Sequence, residues 1–110
     1  MDDATARMRL ENMLGDLDRS IAVLRGDPVG VRDRSAADAG SHLTDADRHQ
    51  AMLDVADRQR GAVMDALKRL EEGSYGRCVD CRKPVPEGRL EARPEASRCV
   101  QCQSKRERRR

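Results

Sequence analysis

The sequence predicts a mainly α-helical protein: an antiparallel two-helix coiled-coil hairpin, then a small four-cysteine module and a short C-terminal helix. Three observations predict it. Two stretches carry apolar residues at alternating spacings of three and four, the seam of a coiled coil. All four cysteines fall within residues 78–102, as two C-x2-C pairs with seventeen residues between them. The chain has one aromatic residue, Tyr75, among 110 residues that are 37% apolar and 38% charged. Such a composition cannot fill a layered core, because aromatics supply the largest buried areas, but it suffices for helices that share a narrow seam.

The first helix is expected over about 3–25. Leu10, Leu14, Leu17, Ile21 and Leu24 form its seam, flanked by Met13 and Val23. Asp2 and Asp3 stand at the positive end of the helix dipole, and Gly26 followed by Pro28 is a stop signal. Residues 26–43 lack a period and are rich in Gly, Asp, Ser and Ala, which reads as a connecting loop. At eighteen residues it is long for a helix–helix connection, and long loops tend to be functional or disordered. A second helix is expected over about 44–72, with Thr44 as N-cap and Asp45 and Asp47 in the first turn. Its seam runs Ala46, His49, Leu53, Ala56, Arg60, Val63, Leu67 and Leu70, and Gly73 ends it. Gly61 interrupts the pattern at a cost of about 1 kcal/mol relative to Ala, which weakens the helix without breaking it. A single loop joins the two helices, so antiparallel pairing of the two seams is the economical solution. Residues 1–73 then form a rod whose tip stands about 35–40 Å from the cysteine module, by the helix rise. Residues 74–110 form the module and the closing helix.

The cysteine spacing is a zinc signal, since each pair puts two thiolates on one turn and the spacer folds the pairs together. Four protein thiolates leave no open position, so one structural Zn2+ held by Cys78, Cys81, Cys99 and Cys102 is expected rather than a catalytic metal. Two disulfides would require an oxidising compartment, for which no export pattern speaks. A redox CxxC would require a thioredoxin-like unit around it, and an iron–sulfur cluster is the other four-cysteine reading, though the spacing is more like that of a zinc ribbon or finger.

Net charge is +2, so the molecule is not a polycation, although residues 105–110 carry five basic groups against one acidic. No apolar run approaches the roughly 18–20 residues that span a bilayer, and no signal pattern opens the chain, so a cytoplasmic, non-membrane protein is expected. No nucleophile–base pair, phosphate-cradling glycine loop or paired-carboxylate site is present, which argues against an enzyme.

From Gly73 onward the stretch GSYGRCVDCRKPVPEGRLEARPEASRCVQC resembles the zinc-finger signature of the DksA/TraR family of bacterial transcription factors. Gly73, Tyr75 and Gly76 match before the first pair, and Arg89, Leu90, Ala92, Pro94 and Ala96 match inside the spacer. Pairing of the two seams within one chain leads to the expectation of a monomer, and the resemblance implies a regulator that binds RNA polymerase directly. It would insert its coiled-coil tip into the secondary channel, where acidic tip residues approach the catalytic magnesium and modulate initiation. Asp38, followed by Ala39, is the nearest match to the family's tip motif, and Asp33 is second. Asp45 and Asp47 fit helix capping better. The family pattern places Gly after the second cysteine, where this chain has Arg82. Some members bind guanosine tetraphosphate through basic residues at the polymerase interface. Arg89 and Arg93 match two of these, but Ala62 and Gln103 occupy the other basic positions, which argues against alarmone dependence.

Two other functions compete. One is a DNA-binding zinc protein that uses the basic C-terminal tail, with steep salt dependence; a short basic cluster on a nearly neutral chain speaks against sequence-specific DNA binding. The other is a structural coiled-coil adaptor, which would self-associate.

Overall fold

A computed structural model describes residues 1–26 and 42–109, which hold four helices: α1 (Asp3–Leu24), α2 (His42–Glu72), α3 (Glu87–Ala92) and α4 (Val100–Arg108). Asp2 caps α1 by accepting a hydrogen bond from the Thr5 amide at 2.9 Å. Hydrogen bonds from Thr5 also hold the Asp2 carboxyl below the usual carboxylate range. At the other end Arg25 is the C-cap and Gly26 follows at φ 77°. The stop is the left-handed one expected there, which a β-carbon would oppose. The tip residues Asp33 and Asp38 lie outside the described residues.

Helix α2 begins at His42, two residues before the Thr44 cap expected from the sequence, so that cap falls inside the first turn. Nothing N-terminal of Thr44 in this stretch breaks a helix, since neither His42 nor Leu43 is Gly or Pro. The helix also runs through Gly61 without interruption, on its solvent side. By the rise per residue, α2 is about 46 Å long and α1 about 33 Å. The principal extents are 54 × 34 × 21 Å, those of a rod with a broad base.

The two helices pack antiparallel along the expected seam. Ala6 and Leu10 of α1 bury against Val63, Ala66 and Leu70 of α2, with Met13, Leu14, Leu17 and Leu67 packed around them. Ile21 and Ala56 are buried further towards the tip. Three buried alanines let the backbones approach closely, and Leu10 and Val63 are the large side chains that fill the gap. Each such burial is worth about 1.5–3 kcal/mol. His49 is half-buried, as its place on the seam implies. Arg60, also a seam residue, escapes burial of its charge by turning to the edge, where its Nε donates to Asp18 Oδ1 of α1 at 2.6 Å. Both partners are about half exposed, so the pair contributes at most about 1 kcal/mol.

A second small core lies beyond α2: Cys78, Val85, Leu90 and Cys99 are buried together. Tyr75 and Met1 pack against both cores and join them. Helix α3, which supplies Leu90, has no counterpart among the expected elements. Six residues are too few for a period to be seen, and its start is set by Pro86, whose carbonyl accepts from the Arg89 and Leu90 amides. Among the described residues the only β-type pairing is an isolated bridge between Arg77 and Pro84. No helix there is long and apolar enough to cross a membrane.

Candidate metal centre

Two tight turns and a helix start build the site. Gly73, at φ 81°, ends α2 with the Ser74 amide bonded back to the Arg69 carbonyl at 2.9 Å, and this turn aims the chain at the first cysteine pair. Cys78 and Cys81 sit on a loop closed by Cys78 N–H to Lys83 O at 2.8 Å and Arg82 N–H to Cys78 O at 3.0 Å. Arg82 lies in the left-handed region at φ 66°. The turn therefore keeps the conformation that the family's glycine would take, at a cost of about 1–2 kcal/mol for a residue with a β-carbon. Cys99 is the N-cap of α4 and Cys102 is in its first turn. The Val79 amide donates to Ser97 O at 2.9 Å, and Arg98 Nε donates to Asp80 Oδ2 at 2.7 Å, so the two turns are tied to each other.

The four Sγ atoms lie within 4.8 Å of one another, and this is the only such ligand group among the described residues. Cys81 and Cys99 are 3.9 Å apart, Sγ to Sγ. A tetrahedral ion with zinc–sulfur bonds of about 2.3 Å needs an edge of about 3.8 Å, so the donor set fits zinc in both chemistry and dimension. The surroundings polarise the thiols unequally. Burial opposes charge on Cys78, yet the amides of Cys81, Cys99 and Asp80 outweigh it and bring that thiol down to about 6. The Cys102 amide likewise lowers Cys99. Cys102 is pushed up to about 12, first by its hydrogen bond with Cys99 and then by that with Cys78. The thiols thus share protons that a bound divalent ion displaces, which makes metal binding part of the folding energy. Cys78 and Cys99 are buried, Cys102 is half-buried and Cys81 is exposed, so one corner of the cage faces solvent. The cofactor is one structural zinc held by a C4 finger.

The finger is fixed to the hairpin by contacts that sequence patterns do not reveal. Tyr75 Oη donates to Pro94 O at 2.8 Å, and Arg9 Nη2 of α1 donates to Glu91 O of α3 at 2.7 Å. Of the two spacer arginines, Arg89 is partly spent inside the module, with Nε donating to Arg98 O at 3.0 Å. Arg93 is exposed. Both line one groove of about 480 Å³ together with Ala62 and Gln103, the two positions singled out as lacking a basic group.

Residues 73–108 match the model of the prokaryotic dksA/traR C4-type zinc finger. The chain is 41% identical over 78 residues to the RNA polymerase-binding transcription factor DksA of Caulobacter vibrioides, covering 63% of this chain and 55% of that protein. It is 32% identical over 72 residues to general stress protein 16O of Bacillus subtilis, covering 66% and 44%. The chain thus spans about half the length of the curated relatives it matches. Among solved structures, transcription factor DksA2 of Pseudomonas aeruginosa superimposes with a TM-score of 0.59 at 25% identity, over 97% of this chain and 75% of that one. The RNA polymerase binding protein and transcriptional regulator Dks of Chlamydia trachomatis shares the fold, with a TM-score of 0.57 at 24% identity, over 96% and 87%. Residues 73–108 thus carry a finger of the dksA/traR C4 type, and the hairpin in front of it shares the fold of DksA2.

Proposed function

We propose that this chain is a transcription regulator that binds bacterial RNA polymerase directly and modulates initiation by inserting its hairpin tip into the secondary channel. The observation that carries the reading is the likeness to DksA2 over 97% of the chain, with a rod in front of a C4 base. The Caulobacter vibrioides relative is an RNA polymerase-binding transcription factor, which supports the choice of partner. In this reading residues 1–73 are the probe and residues 74–110 the docking base, with Cys78, Cys81, Cys99 and Cys102 holding the metal. The protein acts as a cytoplasmic monomer without enzymatic activity. Asp38 and Asp33 act at the tip, and Arg89 and Arg93 contact the polymerase from the base. Guanosine tetraphosphate is not required, because Ala62 and Gln103 bring no charge to the groove that Arg89 and Arg93 line.

Purified chain and core polymerase should co-elute, and transcript yield from a purified initiation assay should change. Joint substitution Asp33→Asn and Asp38→Asn should remove the effect on yield and leave co-elution intact. Absence of co-elution would end the polymerase reading, and a fully active double variant would move the activity away from the tip. The exposed basic run Lys105, Arg106, Arg108 and Arg109 on and just after α4 favours one alternative, binding to DNA phosphates. A gel shift that disappears steeply with added salt would support it.

A further inference from the structure

Charge is divided unevenly along the chain: residues 74–110 hold eleven basic and five acidic side chains, and residues 1–73 eleven and fifteen. Within the basic part, a cleft of about 300 Å³ opens between the last turn of α2 and the first cysteine turn. Arg69, Ser74, Arg77 and Arg82 line it, and Glu72 is the one carboxylate on its wall. It is separate from the groove of Arg89 and Arg93.

Arg69 is the unusual member. Its Nε and Nη2 are out of reach of solvent and have no hydrogen-bond partner. An arginine in the last turn of a helix ordinarily folds onto a carboxylate or onto the free carbonyls of the helix end. Here no ion pair among the described residues includes it, and burial is the main influence lowering its basicity, only partly offset by Asp65. A planar guanidinium with unpaired donors is the group best suited to a bidentate oxyanion. At the mouth of the cleft stand two exposed arginines. One of them, Arg82, keeps a side chain on a left-handed residue where glycine would be relaxed. Strain retained at one residue is a reason to look for a use of its side chain.

We infer that this cleft is an oxyanion site for a phosphate group, with Arg69 as its floor and Arg77, Arg82 and Ser74 at its mouth. Nε and Nη2 reach an oxyanion in the cleft once the Arg69 side chain turns towards it, beside two further guanidinium groups. A phosphate of a free polyphosphate and a phosphate of a nucleic-acid backbone present the same oxygens, so the chemistry is shared. The inference is independent of the polymerase reading.

The test is calorimetric titration of the zinc-loaded full chain with pyrophosphate at low salt. One saturable site is expected. Arg69→Gln should weaken it about tenfold or more, the effect of one lost charge-assisted hydrogen bond. Arg82→Gly, which relaxes the backbone and so keeps the fold, should weaken it several-fold, while the Arg89→Ala, Arg93→Ala double variant should bind as the parent does. Displacement of pyrophosphate by a short DNA duplex identifies backbone phosphate as the source, and failure to displace it identifies a free polyphosphate. An unsaturable titration, unchanged affinity in Arg82→Gly, or loss of binding in the Arg89/Arg93 variant would each overturn the assignment.

Discussion

Replacing Tyr75 with Phe tests whether hairpin and finger are one cooperative unit. The ring packs against both cores, and its hydroxyl donates to the carbonyl of the buried Pro94 at 2.8 Å. Phenylalanine keeps the ring and removes only that bond, leaving a buried carbonyl without its donor. The expected cost is about 1–2 kcal/mol. For a chain of this size that is a fall in Tm of about 5–10 °C. Tyr75→Ala also loses the half-buried ring and should cost about 3–4 kcal/mol in all. A pH signature separates the hydroxyl from the packing. Burial raises the Tyr75 hydroxyl above its ordinary value of 10.0, against the pull of Arg69 and Arg9. A raised folded value means that the native state favours the neutral phenol. That contribution is complete below the ordinary value and is lost as pH rises through the folded value. Urea unfolding followed by circular dichroism, from neutral pH to beyond 10, should show the parent losing stability at the alkaline end more steeply than the Phe variant. Equal stability at neutral pH, together with parallel alkaline profiles, would refute the role given to the hydroxyl.

Leu10→Ala opens a cavity at a fully buried seam position and should cost about 3 kcal/mol by thermal unfolding. Arg82→Gly should add about 0.5–1 kcal/mol, the relief of left-handed strain less the extra backbone entropy of glycine, read as a higher urea midpoint. Removing zinc with a chelator should collapse amide protection across residues 76–108 before that of the α1–α2 seam, with one zinc per chain released by elemental analysis. Asp18→Asn should cost less than about 1 kcal/mol, since its pair with Arg60 is half exposed.

The seam and the cage were legible because each repeats a spacing. Leu10, Val63 and Leu70 lie at coiled-coil intervals, and two C-x2-C pairs place four thiolates on turns whose geometry is fixed by the chain itself. What could not be read lies where contacts join residues far apart in sequence without a period. Arg9 with Glu91 and Tyr75 with Pro94 depend on how the finger docks, which no local pattern encodes. Helix α3 was hidden by its length. Arg82 stands out in the sequence as a departure, but only the backbone angle tells that the turn keeps a glycine conformation around an arginine. Arg69 stands in the last turn of α2, and its unpaired donors become visible only once the side chains around it are placed.

Tyr75 has a further, practical consequence. With no tryptophan and no second tyrosine in this chain, ultraviolet emission arises from one ring. That ring rests where the rod meets its base. Intrinsic fluorescence is therefore a native, label-free probe of that joint alone, silent about the far end of the hairpin. Quenching or lifetime changes on mixing with a partner would report strain transmitted to the joint, with no dye to perturb the surface being studied.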